Sequence, residues 1–287
     1  MAVPLIISPT SPLLDSRDAV ILDASWLYEP DPPTRNAYEE FLTGPRFPKA
    51  QFWDLEAVSE PHPDGYVLML PSPERFASFA GKHGITPDTH VIVYDGEGVF
   101  AAPRTAWTFK VYGHKKVSVI DGGLPRAKKE GVALETDSPR EIKVEAEYPV
   151  PVVDGNAVVD FAQVSRLAER RSLTADSTVL VDARPSSSYE AGHIPTSLLL
   201  DFPSSLLKDP TGFTYLRSAE DLKRHIAGQL GKDKLDQILS GDVTIVNTCG
   251  GGLSAAINWL LFQSLGVNSR LYDEVSILCP VTSRTGD

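Results

Sequence analysis

Cysteine is scarce: the 287-residue chain has two. Two thiols cannot form a disulfide framework, so a reducing compartment is the default. No apolar run is long enough to cross a bilayer, and no membrane partner is expected. The opening MAVPLIISPTSPLLDSRD lacks a basic leader with a long apolar core, so no secretory signal is expected and an organellar one has little support. Positive charge is also in deficit, with 27 Lys and Arg against 38 Asp and Glu, a net −11. Such a surface does not attract phosphate backbones, which argues against direct nucleic-acid binding. The GEG at 96–98 lacks the full glycine fingerprint of a nucleotide loop. No cofactor and no metal site are expected. The remainder is 42% hydrophobic and 23% charged, as in globular proteins, and long enough for two domains.

What is present is repetition. VILDASWLYE in the first half parallels VLVDARPSSSYE in the second, RFPKAQFWDL parallels HIPTSLLLDF, and VIVYDGEGVFAAPRTAWTFKVYG parallels TIVNTCGGGLSAAINWLLFQSLG. Trp107 matches Trp259 and Gly113 matches Gly266. Three matches in one order imply two copies of one unit. Apolar, β-branched runs at 20–22, 91–94, 117–120, 179–181 and 243–246 read as buried strands. Ser72, Pro73 and Gly84 frame one helix, and Ser218 opens another. Strands alternating with helices imply mostly parallel sheets covered on both faces. The expected division is a first domain over 1–138, a charged, proline-containing linker over 139–157, and a second domain over 158–287.

The segment NTCGGGLSA is the most informative. Cys249 follows a strand and precedes a helix that should begin near Leu253. Ligands of open parallel sheets sit outside the carboxyl ends of the strands. Gly250, Gly251 and Gly252 permit positive φ and close backbone approach, successive amides can form an anion nest, and the helix end adds partial positive charge. Ser254 offers a hydroxyl. An ordinary thiol is about 3% ionised at pH 7. Lowering its pKa by about two units takes about 2.7 kcal/mol, which such a loop can supply. A small buried apolar residue is the alternative reading of Cys249. Cys279 lacks this context; a second redox or resolving thiol is its minor reading. Phosphoester hydrolysis on a similar loop needs an arginine six residues after the cysteine, and Ala255 stands there.

These residues together resemble the tandem-domain rhodanese superfamily, and within it the 3-mercaptopyruvate sulfurtransferases. ILDASWLY, FWDLE, MLPSPERFA, VIVYDGEGVFAAPR and GHKKVSVIDGG carry the resemblance in the first half, and VDAR, GHIP, CGGGLSA and LYD in the second. It implies an α/β fold of two tandem rhodanese-like domains, each a mostly parallel sheet flanked by helices. Only the second would be catalytic, with Asp95 standing roughly where the first would have its cysteine. It further implies that Cys249 takes sulfur from 3-mercaptopyruvate as a persulfide and passes it to a thiol, thioredoxin or cyanide. The partners implied are a small-molecule sulfur donor and a protein thiol, and the compartment is the cytosol, with the mitochondrion as second choice. A loop of glycines followed by Leu253 and Ser254, without basic side chains, fits mercaptopyruvate better than dianionic thiosulfate. Arg184 matches a carboxylate-binding arginine, against the plain reading of a surface charge. Asp54 matches an acid that manages the proton near the thiol, against the plain reading of a helix cap. His193 is expected to be a structural, hydrogen-bonded residue.

Three departures from the family qualify the activity. Leu68 stands where many members have a histidine, for which His62 is the available substitute. Only PSSSYEA separates VDAR from GHIP, so a second substrate arginine is missing. The family's aromatic ending is replaced by LYDEVSILCPVTSRTGD. A raised KM for mercaptopyruvate is therefore expected. Two alternatives stay open: a thiosulfate:cyanide sulfurtransferase, and a degraded rhodanese acting as a persulfide carrier or docking module.

Overall fold

The computed structural model describes residues 3–28, 34–62, 65–139, 145–169 and 178–274. Part of the expected linker, and residues 275–287 of the altered ending with Cys279, lie outside them. The chain forms two compact units. One comprises residues 1–60, 70–153 and 208–215; the other comprises 61–69, 154–207 and 216–287.

The first unit contains strands β1 (Ile6–Ile7), β2 (Ala19–Asp23), β3 (Gln51–Phe52), β4 (His90–Tyr94) and β5 (Val117–Ile120). Its helices are α1 (Ala37–Thr43), α2 (Leu55–Val58), α3 (Pro73–Lys82), α4 (Ala102–Val111) and α5 (Gly123–Lys129). The strands run parallel in the order β1-β5-β4-β2-β3. Every residue of β4 is buried, as a central strand covered on both faces requires. Ile21, Phe41, Phe47, Ile92 and Ile120 form a core on one face.

The second half continues with β6 (Val158–Val159), α6 (Phe161–Ala168), β7 (Thr178–Asp182), α7 (Ser186–Ala191), β8 (Leu198–Leu199) and α8 (Phe202–Ser205). It then adds the ribbon β9 (Leu207–Lys208) and β10 (Thr214–Tyr215), α9 (Ala219–Leu230), α10 (Lys232–Ser240), β11 (Thr244–Thr248), α11 (Leu253–Ser264) and β12 (Ser269–Tyr272). Its main sheet is parallel in the order β6-β12-β11-β7-β8, the topology of the first sheet repeated. The expected fold class is the observed one.

Two local expectations change. Ser72 does precede α3, but its side chain makes no capping bond; Pro73 sets the helical φ at the first turn without it. The strand expected at 243–246 begins at Thr244 and runs on to Thr248. Polar Asn247 can be buried there because its Nδ2 donates to Ser269 Oγ at 2.9 Å and Arg270 O at 3.1 Å.

Candidate active site

Strand register builds the site. β7 and β11 pair so that Asp182 lies opposite Thr248. Cys249 is the next residue after Thr248, and Arg184 lies two beyond Asp182. The thiol and the guanidinium therefore leave neighbouring strands at the same, carboxyl, end of the second sheet. This is where open parallel sheets bind ligands.

Cys249 is buried, with 2% of its surface exposed. Gly252, at φ 80°, forms the N-cap of α11, and its N–H donates to Cys249 Sγ at 3.0 Å. The glycine triplet is thus used differently from expectation. Gly252 alone of the three has a positive φ, and its amide alone reaches the sulfur. Gly250 has open space around a would-be Cβ, and Gly251 would make only an ordinary 3.7 Å contact with Val67 O. The amides of Gly250, Gly251, Leu253 and Ser254 make no hydrogen bond among the described residues, nor does Ser254 Oγ. The helix starts so tightly after the strand that one turn of amides stays uncommitted.

Arg184 is not a loose surface charge. Its Nε donates to Asp182 Oδ1 and Oδ2 at 3.0 and 3.1 Å, and its Nη2 donates to Asp182 Oδ2 and Gly192 O, both at 2.7 Å. Its side chain is 16% exposed and that of Asp182 is 0% exposed. The turn carrying Gly192 is itself braced. His193 stacks on Tyr189 with ring centroids 3.9 Å apart, its Nδ1 donates to Tyr189 O, and Tyr189 OH donates to Ser197 O. The role of Asp182 was missed from sequence. Its signal was an acid two residues before an arginine at a strand end.

Asp54 and His62 belong to different units. Asp54 is the N-cap of α2: its Oδ1 accepts from Glu56 N and Ala57 N at 3.0 and 2.9 Å. Asp201, its counterpart in the repeat, caps α8 through Ser204 N. A helix-capping role shared by both copies accounts for an acid here before any chemistry is invoked. His62 packs against Tyr66 at 4.8 Å in the segment that brings Val67 O beside Gly251. In that segment Leu68 is buried at 3% exposure and held at φ 66°, a conformation that costs a non-glycine residue about 1–2 kcal/mol.

The rhodanese-like domain model matches residues 35–130 and 164–277. The chain belongs to the rhodanese family. Among its relatives, a Schizosaccharomyces pombe protein named as a probable 3-mercaptopyruvate sulfurtransferase is 32% identical over 272 residues, covering 91% of this chain and 86% of the relative. The Arabidopsis thaliana mitochondrial thiosulfate/3-mercaptopyruvate sulfurtransferase 1 is 32% identical, covering 87% and 68%. The crystal structure of SseA from Escherichia coli, described as a 3-mercaptopyruvate sulfotransferase with the rhodanese fold, superposes with TM-score 0.78 at 28% identity, covering 95% and 99% of the two chains.

The first rhodanese-like domain has the matching positions with other chemistry. Asp23 lies opposite Tyr94 in the β2–β4 register, so Asp95 corresponds to Cys249 and Asp23 to Asp182. Asp95 Oδ1 accepts from the amides of Glu97 and Gly98, and Oδ2 from those of Phe100, Ala101 and Ala102, at 2.8–3.0 Å. Thr214 seals this loop: its N donates to Glu97 O at 3.1 Å, and its Oγ1 accepts from Val99 N at 3.0 Å. A side chain on Gly98 would collide with the Thr214 carbonyl. Ser25 replaces Arg184, donating from N and Oγ to Asp23 Oδ1. Burial pushes the Asp23 carboxyl up to about 6 despite those bonds. Among the described residues no group of three His, Cys, Asp or Glu is placed to hold a metal, and no helix is long and apolar enough to cross a membrane.

Proposed function

We propose that the protein is a sulfurtransferase that takes sulfur from 3-mercaptopyruvate onto Cys249 and hands it to a thiol, thioredoxin or cyanide. The Cys249 thiolate attacks the donor sulfur. The S–S bond forms as the donor C–S bond breaks, and the bonding pair leaves on carbon as the enolate of pyruvate, which takes up a proton. An acceptor thiolate then attacks the outer sulfur, carries it away as a persulfide and restores the Cys249 thiolate. Covalent relay divides one difficult transfer into two easier ones.

One observation carries this reading: Cys249, with the Gly252 amide on its sulfur, leaves the same end of the second sheet as an arginine whose Nη1 is uncommitted among the described residues. Nη1 suits a donor carboxylate. The rhodanese relatives named for mercaptopyruvate support the donor. Gly250, Gly251, Gly252, Leu253 and Ser254 would cradle the outer sulfur, and Asp54, with His62 as a weaker partner, would handle the proton. Catalysis is assigned to the second of the two domains, divided by the linker 139–157. The cytosol is the assigned compartment, with the mitochondrion second, for which a relative named as mitochondrial is the support.

The test compares mercaptopyruvate and thiosulfate on wild type and Cys249→Ser, with intact-mass detection of a one-sulfur adduct. Faster turnover of mercaptopyruvate and an adduct lost with Cys249 are expected. Turnover surviving Cys249→Ser would refute the assignment. Leu68 at the usual histidine position and the missing second arginine favour a second reading, a persulfide carrier or docking module. An adduct on Cys249 without turnover would select the carrier.

A further inference from the structure

We propose that Asp182, with the Gly192 carbonyl, is the positioning element that limits Arg184 to offering its Nη1 amino group to the donor carboxylate. The proposal rests on the reading of Arg184 as the carboxylate receptor.

A guanidinium has five N–H bonds and binds a carboxylate best along an edge of two nitrogens. In this site the Nε–Nη2 edge faces Asp182, and the second Nη2 hydrogen goes to Gly192 O. Three of the five N–H groups are thereby committed. Both two-nitrogen edges are closed to an incoming anion, and the two N–H groups on Nη1 remain. Asp182 cannot yield easily: it is fully buried, and its Oδ1 also accepts from Arg184 N at 2.9 Å. Gly192 is held too, since its N–H donates to Tyr189 O at 3.1 Å within the stacked Tyr189–His193 turn. The guanidinium is therefore oriented before the donor arrives, which removes an ordering cost from binding.

The experiment measures KM and kcat for 3-mercaptopyruvate in Asp182→Asn, Arg184→Gln and the double variant. Asp182→Asn puts an amide group where one carboxylate oxygen stood and releases the guanidinium. The expected result is a KM raised about tenfold with kcat within threefold in either single variant, and no further rise in the double. A role confined to folding would lower kcat, and Asp182→Asn would then impair the Arg184→Gln background as much as wild type. That outcome overturns the proposal. An unchanged KM in Arg184→Gln would instead overturn the carboxylate reading beneath it. A raised KM in Arg184→Gln with an unchanged KM in Asp182→Asn would overturn the positioning role alone. If Asp182→Asn does not fold, Asp182→Glu carries the same test, because it keeps the charge but displaces the guanidinium. A KM equal to wild type in that variant refutes the proposal.

Discussion

At the end of its central strand the first domain directs a carboxylate into a ring of five amides, whereas the second directs a thiol at one. The chain thus contains the same loop in a completed and an open form. Asp95 fills its own loop with two carboxyl oxygens, and Thr214 covers the result. The Cys249 loop leaves the amides of Gly250, Gly251, Leu253 and Ser254 unassigned among the described residues. The same contrast holds one strand over. Asp182 has a guanidinium partner and Asp23 has a serine. The difference teaches that one strand–loop–helix turn can either satisfy its amides internally or keep them available, according to the residue that follows the strand.

Replacing the thiol should break the comparison most severely. Cys249→Ser is expected to lower turnover by about 10³-fold or more, because it removes the thiol assigned to form the persulfide; steady-state assays with both donors check it. Stability should respond in the opposite domain. Asp95→Asn turns an amide group towards backbone N–H donors and leaves buried donors unpaired, at about 3 kcal/mol. Cys249→Ala should cost about 1 kcal/mol, so urea unfolding of the two variants should differ clearly.

The Asp23 contrast is sharpened by pH. Its carboxyl is pushed up from 3.8 to about 6, so the folded protein holds that proton more tightly than the unfolded chain does. Stability from this group is complete below pH 4 and is lost as pH rises through 6. Asp23→Asn should therefore stabilise by about 1–2 kcal/mol at pH 7.5 and by almost nothing at pH 4. Urea midpoints across that range would show it, and a pH-independent difference would contradict it.

The smallest effect concerns matched turns. Lys49 and Thr196 occupy equivalent repeat positions, at φ 61° and 67°. Thr196 is β-branched and suffers more there. Thr196→Gly should raise stability by about 1 kcal/mol, and Lys49→Gly by less; thermal unfolding would rank them.

Much of this architecture was legible locally. Runs such as Val91-Ile92-Val93 and Val179-Leu180-Val181 have one reading as central strands, because both faces must be apolar. The two-residue strands β1, β3, β6 and β8 carry no such pattern and exist only through pairing with neighbours. Arg184 was visible as a candidate, but the occupation of its Nε and Nη2 was not, since the Gly192 carbonyl reaches it through a turn. Asp54 could be read as acid or cap; its bonds to Glu56 N and Ala57 N place it at the head of a helix.

By itself, the order of residues determined that two α/β units recur, that the second alone has a cysteine between a strand and a helix, and that Ala255 replaces the arginine a phosphatase would need. These follow from short-range patterns of polarity and chain stiffness. Only the tertiary structure decided which amides meet the sulfur, which edge of Arg184 stays open, and which carboxyl is held near neutrality. Those depend on the register that sets Asp182 opposite Thr248 and Asp23 opposite Tyr94. Hydrogen bonds are directional over less than an ångström, and segments more than sixty residues apart meet with that accuracy only when the sheet has formed.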